Sequence, residues 1–281
     1  MVLAAALIAF SAWVYNDDFT GRAVDHIAKV KIEGTITEDE ELIKRLETIR
    51  KSPTVKGVIL SIDSPGGTTV GGESIYEEVR KLAGDKPVAA EVGTLAASAG
   101  YMIASAADHI VARKTSIVGS IGVVSASFGF PELMKKIGVE RRVHTAGQNK
   151  AVLDPFKPEK KEDVERLKAL QLEVHETFID LVRERRGTKL KDDPDLFTGL
   201  FWTAKKGLEL GLVDALGDMR SVLKTRFGDK TQLKLITAPR GLFGRFGLFG
   251  SRFSAPDIAA AVASGAIDAA EERALWARFG L

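Results

Sequence analysis

Apolar positions recur along this chain with two periods, and the switches between them mark out its elements. Ile27–Ile32 reads as a short strand closed by Gly34, and Glu40–Arg50 as a helix with Leu42, Ile43, Leu46 and Ile49 on one face. Val55–Ile62 is an apolar strand that runs into Asp63-Ser64-Pro65-Gly66-Gly67. A helix over Glu73–Leu82, a strand over Pro87–Val92 and a small-residue helix over Ala96–Ala106 follow. His109–Ala112 and Ile117–Val124 read as strands, Pro131–Ile137 as a short helix and Val139–Thr145 as another strand. This alternation predicts an α/β fold, a largely parallel sheet with covering helices.

Beyond Lys150 the pattern lengthens. Pro158–Arg186 is a long amphipathic helix with Val164, Leu167, Leu170, Val174, Phe178 and Leu181 at helical spacing. Trp202–Leu216 reads as a further helical region, and Leu233–Ile236 as a last strand. From Pro239 a Gly-aromatic theme with Arg takes over (Gly241-Leu242-Phe243-Gly244-Arg245-Phe246), then an Ala-rich helix from Pro256 to about Phe279. At the other end, Val2–Tyr15 is apolar and uncharged. A membrane-crossing helix needs roughly 20 residues, so this run is short for one. It also lacks the basic start of a signal peptide, while Trp13 and Tyr15 suit a membrane interface. A truncated anchor is the preferred reading, ahead of a cleaved signal or a buried helix. The chain thus divides into an anchor (1–21), a main domain (22–238) and a tail (239–281).

Composition narrows the chemistry. With 40 Lys and Arg against 38 Asp and Glu, the net charge of +2 gives no support for nucleic-acid binding driven by bulk charge. The absence of cysteine removes disulfides, thiolate nucleophiles and thiolate metal sites. The 4 histidines, at 26, 109, 144 and 175, stand too far apart in sequence for a His-based zinc motif. No metal or cofactor is expected.

Three segments carry candidate chemistry. The Pro65-Gly66-Gly67 turn at a strand end frees backbone N–H groups that suit an oxyanion, although such a sequence is more often only a turn. In Gly93-Thr94-Leu95-Ala96-Ala97-Ser98-Ala99-Gly100, Ser98 sits among small residues at a strand-to-helix junction, where the helix N-terminus favours an anion. Close helix packing explains the same residues. Lys150, in Gly147-Gln148-Asn149-Lys150, is a candidate general base if desolvated, or a solvated surface charge.

Their order is more telling than any one of them. Asp63-Ser64-Pro65-Gly66-Gly67, Ala97-Ser98-Ala99-Gly100-Tyr101, Gly119-Ser120-Ile121-Gly122-Val123 and Gly147-Gln148-Asn149-Lys150 together resemble the signal peptide peptidase A family, membrane-anchored Ser-Lys proteases. Thr203-Ala204-Lys205-Lys206-Gly207-Leu208 and Gly211-Leu212-Val213-Asp214 resemble a later family segment, and the likeness runs from about 26 to about 237 in the short, single-domain form. The resemblance implies a ClpP/crotonase-like fold assembling into a ring. It implies Ser98 as nucleophile, Lys150 as general base and Ser120 as the residue orienting the Lys amine. It implies an oxyanion hole from the backbone N–H groups of Gly66 or Gly67 and of Ala99. The Lys of such a dyad can come from a neighbouring subunit. Implied partners are peptide substrates (signal-peptide remnants or other hydrophobic segments), a membrane and further copies of the chain. The implied location is the inner membrane of a bacterium, with one N-terminal anchor and an extracytoplasmic domain.

Two other readings stand beside this one. A silent membrane scaffold of the same fold is disfavoured by the intact Ser98 and Lys150. A crotonase-type acyl-CoA enzyme would usually place a carboxylate at the site, and the acids nearest Ser98 in sequence are Glu91 and Asp108. A Ser-His-Asp triad would have to recruit His144, the main histidine competitor. Ala99 stands where many relatives carry Gly, and its methyl is expected to narrow the site.

Overall fold

The strands follow from where apolar residues fall. The computed structural model describes residues 25–221, the backbone of 233–235, and Trp276 and Phe279. Strand β1 (His26–Glu33) buries alternate positions, as a strand with one covered face should. Strand β2 (Val55–Ser64) buries Val58, Ile59, Leu60 and Ile62 in near-continuous order, because both its faces are covered. Between them, helix α1 (Glu40–Lys51) turns Leu42, Leu46 and Ile49 inward. Its start is set by the Asp39 carboxylate, which accepts from the Leu42 N–H at 2.9 Å. Acids fill its first turn and bases its last, matching the helix dipole.

Helix α2 (Thr69–Asp85) starts earlier than its apolar pattern suggests, because Thr68 caps it through the Gly71 N–H. Strand β3 (Val88–Ala97) is longer than the expected Pro87–Val92, and helix α3 (Ala99–Ala106) begins directly after Ser98. Strands β4 (His109–Ala112) and β5 (Ile117–Gly119) pair with successive halves of β3. A short helix α4 (Pro131–Lys136) and the long α5 (Lys161–Arg186) come next. Then follow β6 (Phe201–Thr203), α6 (Ala204–Leu210), β7 (Ala215–Leu216) and β8 (Leu233–Leu235). Among the described residues the sheet has the order β6-β5-β3-β2-β1-β8, with β4 and β7 continuing from β3. Every pairing is parallel except β5 with β6. The α/β expectation holds, and the C-terminal ends of β2, β3 and β5 converge on Ser98.

Three sequence-based elements change. Ile117–Val124 ends at Gly119, because Ser120 turns into the left-handed region (φ 52°) and leaves the sheet. Val139–Thr145 forms no strand; it runs mostly exposed and pairs with no strand among the described residues. Trp202–Leu216 splits, since Trp202 and Thr203 pair with β5 and only Ala204–Leu210 coils. No described helix is long and apolar enough to cross a membrane. The expected anchor at 1–21, and the expected tail from 239 apart from Trp276 and Phe279, lie outside the described residues.

Candidate active site

Ser98 is held by backbone on every side. The β2–β3 pairing shifts register between Ile62 and Ser64, and Asp63 fills the gap. Its carboxylate accepts from the N–H groups of Thr94 and Leu95, each at 3.1 Å. Four residues on, the Ser98 N–H donates to Gly119 O at 3.0 Å, and Ser98 O accepts from Tyr101 and Met102, both at 2.9 Å. Ser98 itself has φ 53° and ψ −125°. A non-glycine residue in such a region costs about 1–3 kcal/mol and persists only where its surroundings impose it. The strain has a product: the Ser98 side chain does not cap α3, and its hydroxyl stands at the helix start.

The turn after β2 forms the neighbouring wall. Ser64 is fully buried; its hydroxyl donates to Gly34 O at 2.6 Å and accepts from the Gly66 N–H at 3.1 Å. Gly66 has φ +109°, and a Cβ there would stand 2.7 Å from Ser98 Cβ, so only glycine fits. Its N–H, however, is spent on Ser64. Among the described residues no hydrogen bond engages the N–H of Gly67 or of Ala99, and both adjoin Ser98. The geometry therefore narrows the oxyanion candidates to Gly67 and Ala99. The Ala99 methyl lies against α2, where a Cβ added to Gly72 would meet it at 2.8 Å, and Ala99 also lines a small recess beside Ser98.

Ser98 opens onto a cavity of about 570 Å³ shared by Gly67, Ser120, Val123, His175 and Thr198. Among the described residues no carboxylate lines it, whereas a crotonase-type site usually carries one. Beside it is a recess of about 20 Å³, walled by Met102, Val123, Val174 and Phe178, with room for a group of methyl size. Ser120 is buried at the cavity edge, its N–H bonded to Leu200 O at 2.7 Å. Lys150 does not join them. It is exposed, lies in a turn within the 122–160 arm and is absent from the cavity wall. His144 is exposed on the same arm, and His109 faces Asp214 at 3.9 Å. The histidine that does reach the cavity is His175, and its Nε2 bonds to the Ile121 carbonyl at 3.0 Å, not to an acid. A lone helical His gave no sequence signal for this, whereas Ser64-Pro65-Gly66 carried one, since Ser often bonds the N–H two residues on.

The Gly211-Leu212-Val213-Asp214 segment braces the site from behind. Buried Tyr101, on the helix that starts after Ser98, donates to Leu212 O at 2.8 Å. Arg186 clasps Asp214 through two bonds of 2.8 and 3.0 Å, and Lys189 adds a third at 2.7 Å. Burial pushes the Asp214 carboxyl up, but the hydrogen bonds from Arg186 and Lys189 outweigh it and hold the group down at about 2. Burial likewise pushes the Tyr101 hydroxyl up, which keeps it a neutral donor.

Comparison with known proteins fits this arrangement. The family Peptidase S49 matches residues 80–232, and the Clp protease family matches 19–118. A Brucella abortus protein named Na(+)/H(+) antiporter NhaA is 59% identical over 230 residues, 80% of this chain and 31% of that one. The chain thus spans about a third of that relative, and the transport name is not carried over. A Methanocaldococcus jannaschii protein is 36% identical over 212 residues, covering 74% of this chain and 67% of its own. Serine protease SPPA, chloroplastic, of Arabidopsis thaliana is 34% identical over 206 residues, 70% of this chain and 30% of that one. With an elbow serine on a Clp-type sheet and a family match over more than half its length, this chain belongs to peptidase family S49.

Proposed function

We propose that the chain is a membrane-associated serine endopeptidase working through a Ser-Lys dyad. The observation that carries this reading is Ser98, strained, uncapped and open to a cavity beside two unbonded N–H groups. Ser98 Oγ attacks the peptide carbonyl, and the N–H groups of Gly67 and Ala99 hold the oxyanion. Lys150, as the neutral amine, takes the hydroxyl proton and returns it to the leaving amine, oriented by Ser120.

Because Lys150 is exposed and outside its own chain's cavity, the base is supplied by a neighbouring copy. The arm bearing it supports this assignment. It exposes Val124, Phe128, Leu133, Ile137 and Val139, with Phe128 at 81%, and the first half of α5 exposes Leu170 and Leu172. A run of large apolar side chains in water suits contact with another subunit, as in a ring. The apolar run Val2–Tyr15 supports an anchor within 1–21 ahead of a protease domain over 22–238, with 239–281 as an appended tail. On this reading the enzyme sits at a bacterial inner membrane with its domain outside the cytoplasm. It cleaves residual signal peptides or other hydrophobic segments, whose small apolar side chains suit the recess beside Ser98.

The test is labelling with a fluorophosphonate probe. The wild type is expected to label, and Ser98→Ala to lose both labelling and peptide turnover, by about 10⁴-fold or more, with its melting temperature unchanged. Turnover retained in Ser98→Ala would end the assignment.

A further inference from the structure

One wall of the cavity is the run Ser120–Val124, which leaves the sheet where β5 ends. Its root is tied from two sides. The Ser120 N–H donates to Leu200 O, and a Cβ added to Gly122 would stand 2.9 Å from the Cα of Gly199, so backbone meets backbone there. From α5, His175 Nε2 reaches the Ile121 carbonyl at 3.0 Å. A carbonyl only accepts, so Nε2 carries the proton of this bond. The Ile121 side chain is fully buried, and the His175 ring is half-buried. The bond therefore ties the backbone of this wall to α5. Past it, the backbone groups of Gly122 and Val123 have no hydrogen-bond partner among the described residues, although both residues line the cavity. An unpaired backbone edge beside a nucleophile is a template for an extended chain.

We infer that His175 is a positioning residue for the substrate backbone: it fixes the Ile121 carbonyl so that the Gly122–Val123 edge pairs with an extended peptide in one register. The inference rests on the endopeptidase reading and adds to it how the peptide is held. Ser98 is fixed by Gly119 O and by α3, contacts in which His175 has no part. Loss of the imidazole therefore acts on peptide binding and leaves the nucleophile's own reactivity alone.

The experiment compares His175→Ala, His175→Leu and His175→Gln in the full chain, by peptide turnover and by labelling with a small fluorophosphonate. His175→Leu keeps apolar bulk on α5 without a donor, so it reads the bond even if the Ala variant folds poorly. In Ala and Leu variants KM is expected to rise about tenfold, the loss of one well-placed hydrogen bond, with kcat within about twofold and an unchanged labelling rate. Gln offers an N–H to the same carbonyl and is expected to restore KM to within about threefold. Unchanged KM in the Leu variant, a fall in kcat alone, or a Gln variant as impaired as Leu would overturn the inference. A wild type that neither labels nor cleaves would instead sink the endopeptidase reading, so the two failures are distinct.

Discussion

The two halves of the proposed dyad sit in opposite surroundings. Around Ser98 the chain is closed on itself: Asp63, Gly119 O, Ser64 and Gly66 fix the backbone, and Tyr101 and Asp214 brace it from behind. Around Lys150 almost nothing is closed. The 122–160 arm holds itself together locally, through Arg141 over the Phe156 ring at 4.6 Å and paired to Asp154 at 3.2 Å, while its larger apolar side chains face water. One helix spans both regimes. In its second half α5 buries Phe178, Val182 and Arg186, whereas Leu170 and Leu172 in its first half are exposed. On the proposed reading, a strained nucleophile needs a rigid frame, and a base delivered to another copy needs an arm that its own chain leaves uncovered.

The sharpest way to probe the closed half is through its buried ion pair. Asp214→Ala leaves the Arg186 guanidinium buried without its partner and is expected to cost about 3–5 kcal/mol in a denaturant titration. Acid should act through the same group. Its folded pKa lies below the usual 3.8, so its contribution is complete above that value and is lost as pH falls toward about 2. Melting temperatures between pH 5 and pH 2 should therefore fall more steeply in the wild type than in Asp214→Asn.

Two glycines sharpen the comparison at a smaller scale. Gly66 and Gly147 both have φ above +100°. A Cβ on Gly66 strikes Ser98, whereas one on Gly147 meets nothing within 4 Å. Gly66→Ala should destabilise by about 2–4 kcal/mol and abolish probe labelling, while Gly147→Ala should cost only the backbone strain, about 1 kcal/mol, with labelling retained. Equal effects at the two sites would erase the proposed difference between frame and arm.

Legibility in the sequence follows the same division. Strands β1 to β4 and helix α1 were readable because their apolar residues are buried by this chain alone, so periodicity and burial report one fact. On the arm they part. Val139–Thr145 holds two β-branched valines but pairs with no strand among the described residues, and Leu170 belongs to a helical stripe that is left exposed. Pattern reports an apolar face, not what lies on it. At the site, Ser98 was visible from its small neighbours at a strand-helix junction. The diversion of the Gly66 N–H to Ser64 had a local signal as well, a Ser two residues ahead of a glycine in a turn, which the reading of the turn as a source of free N–H groups passed over. His175 was invisible for another reason: the fold alone brings it to Ile121.

The division of the dyad between copies is tested most directly by mixing. Ser98→Ala and Lys150→Ala proteins, each inactive alone, are combined, shown to co-assemble, and assayed for peptide turnover. Recovery of activity is the predicted result, since the intact Lys150 of one chain then serves the intact Ser98 of another. Verified mixed assemblies that stay inactive would contradict it and return the base to the nucleophile's own chain.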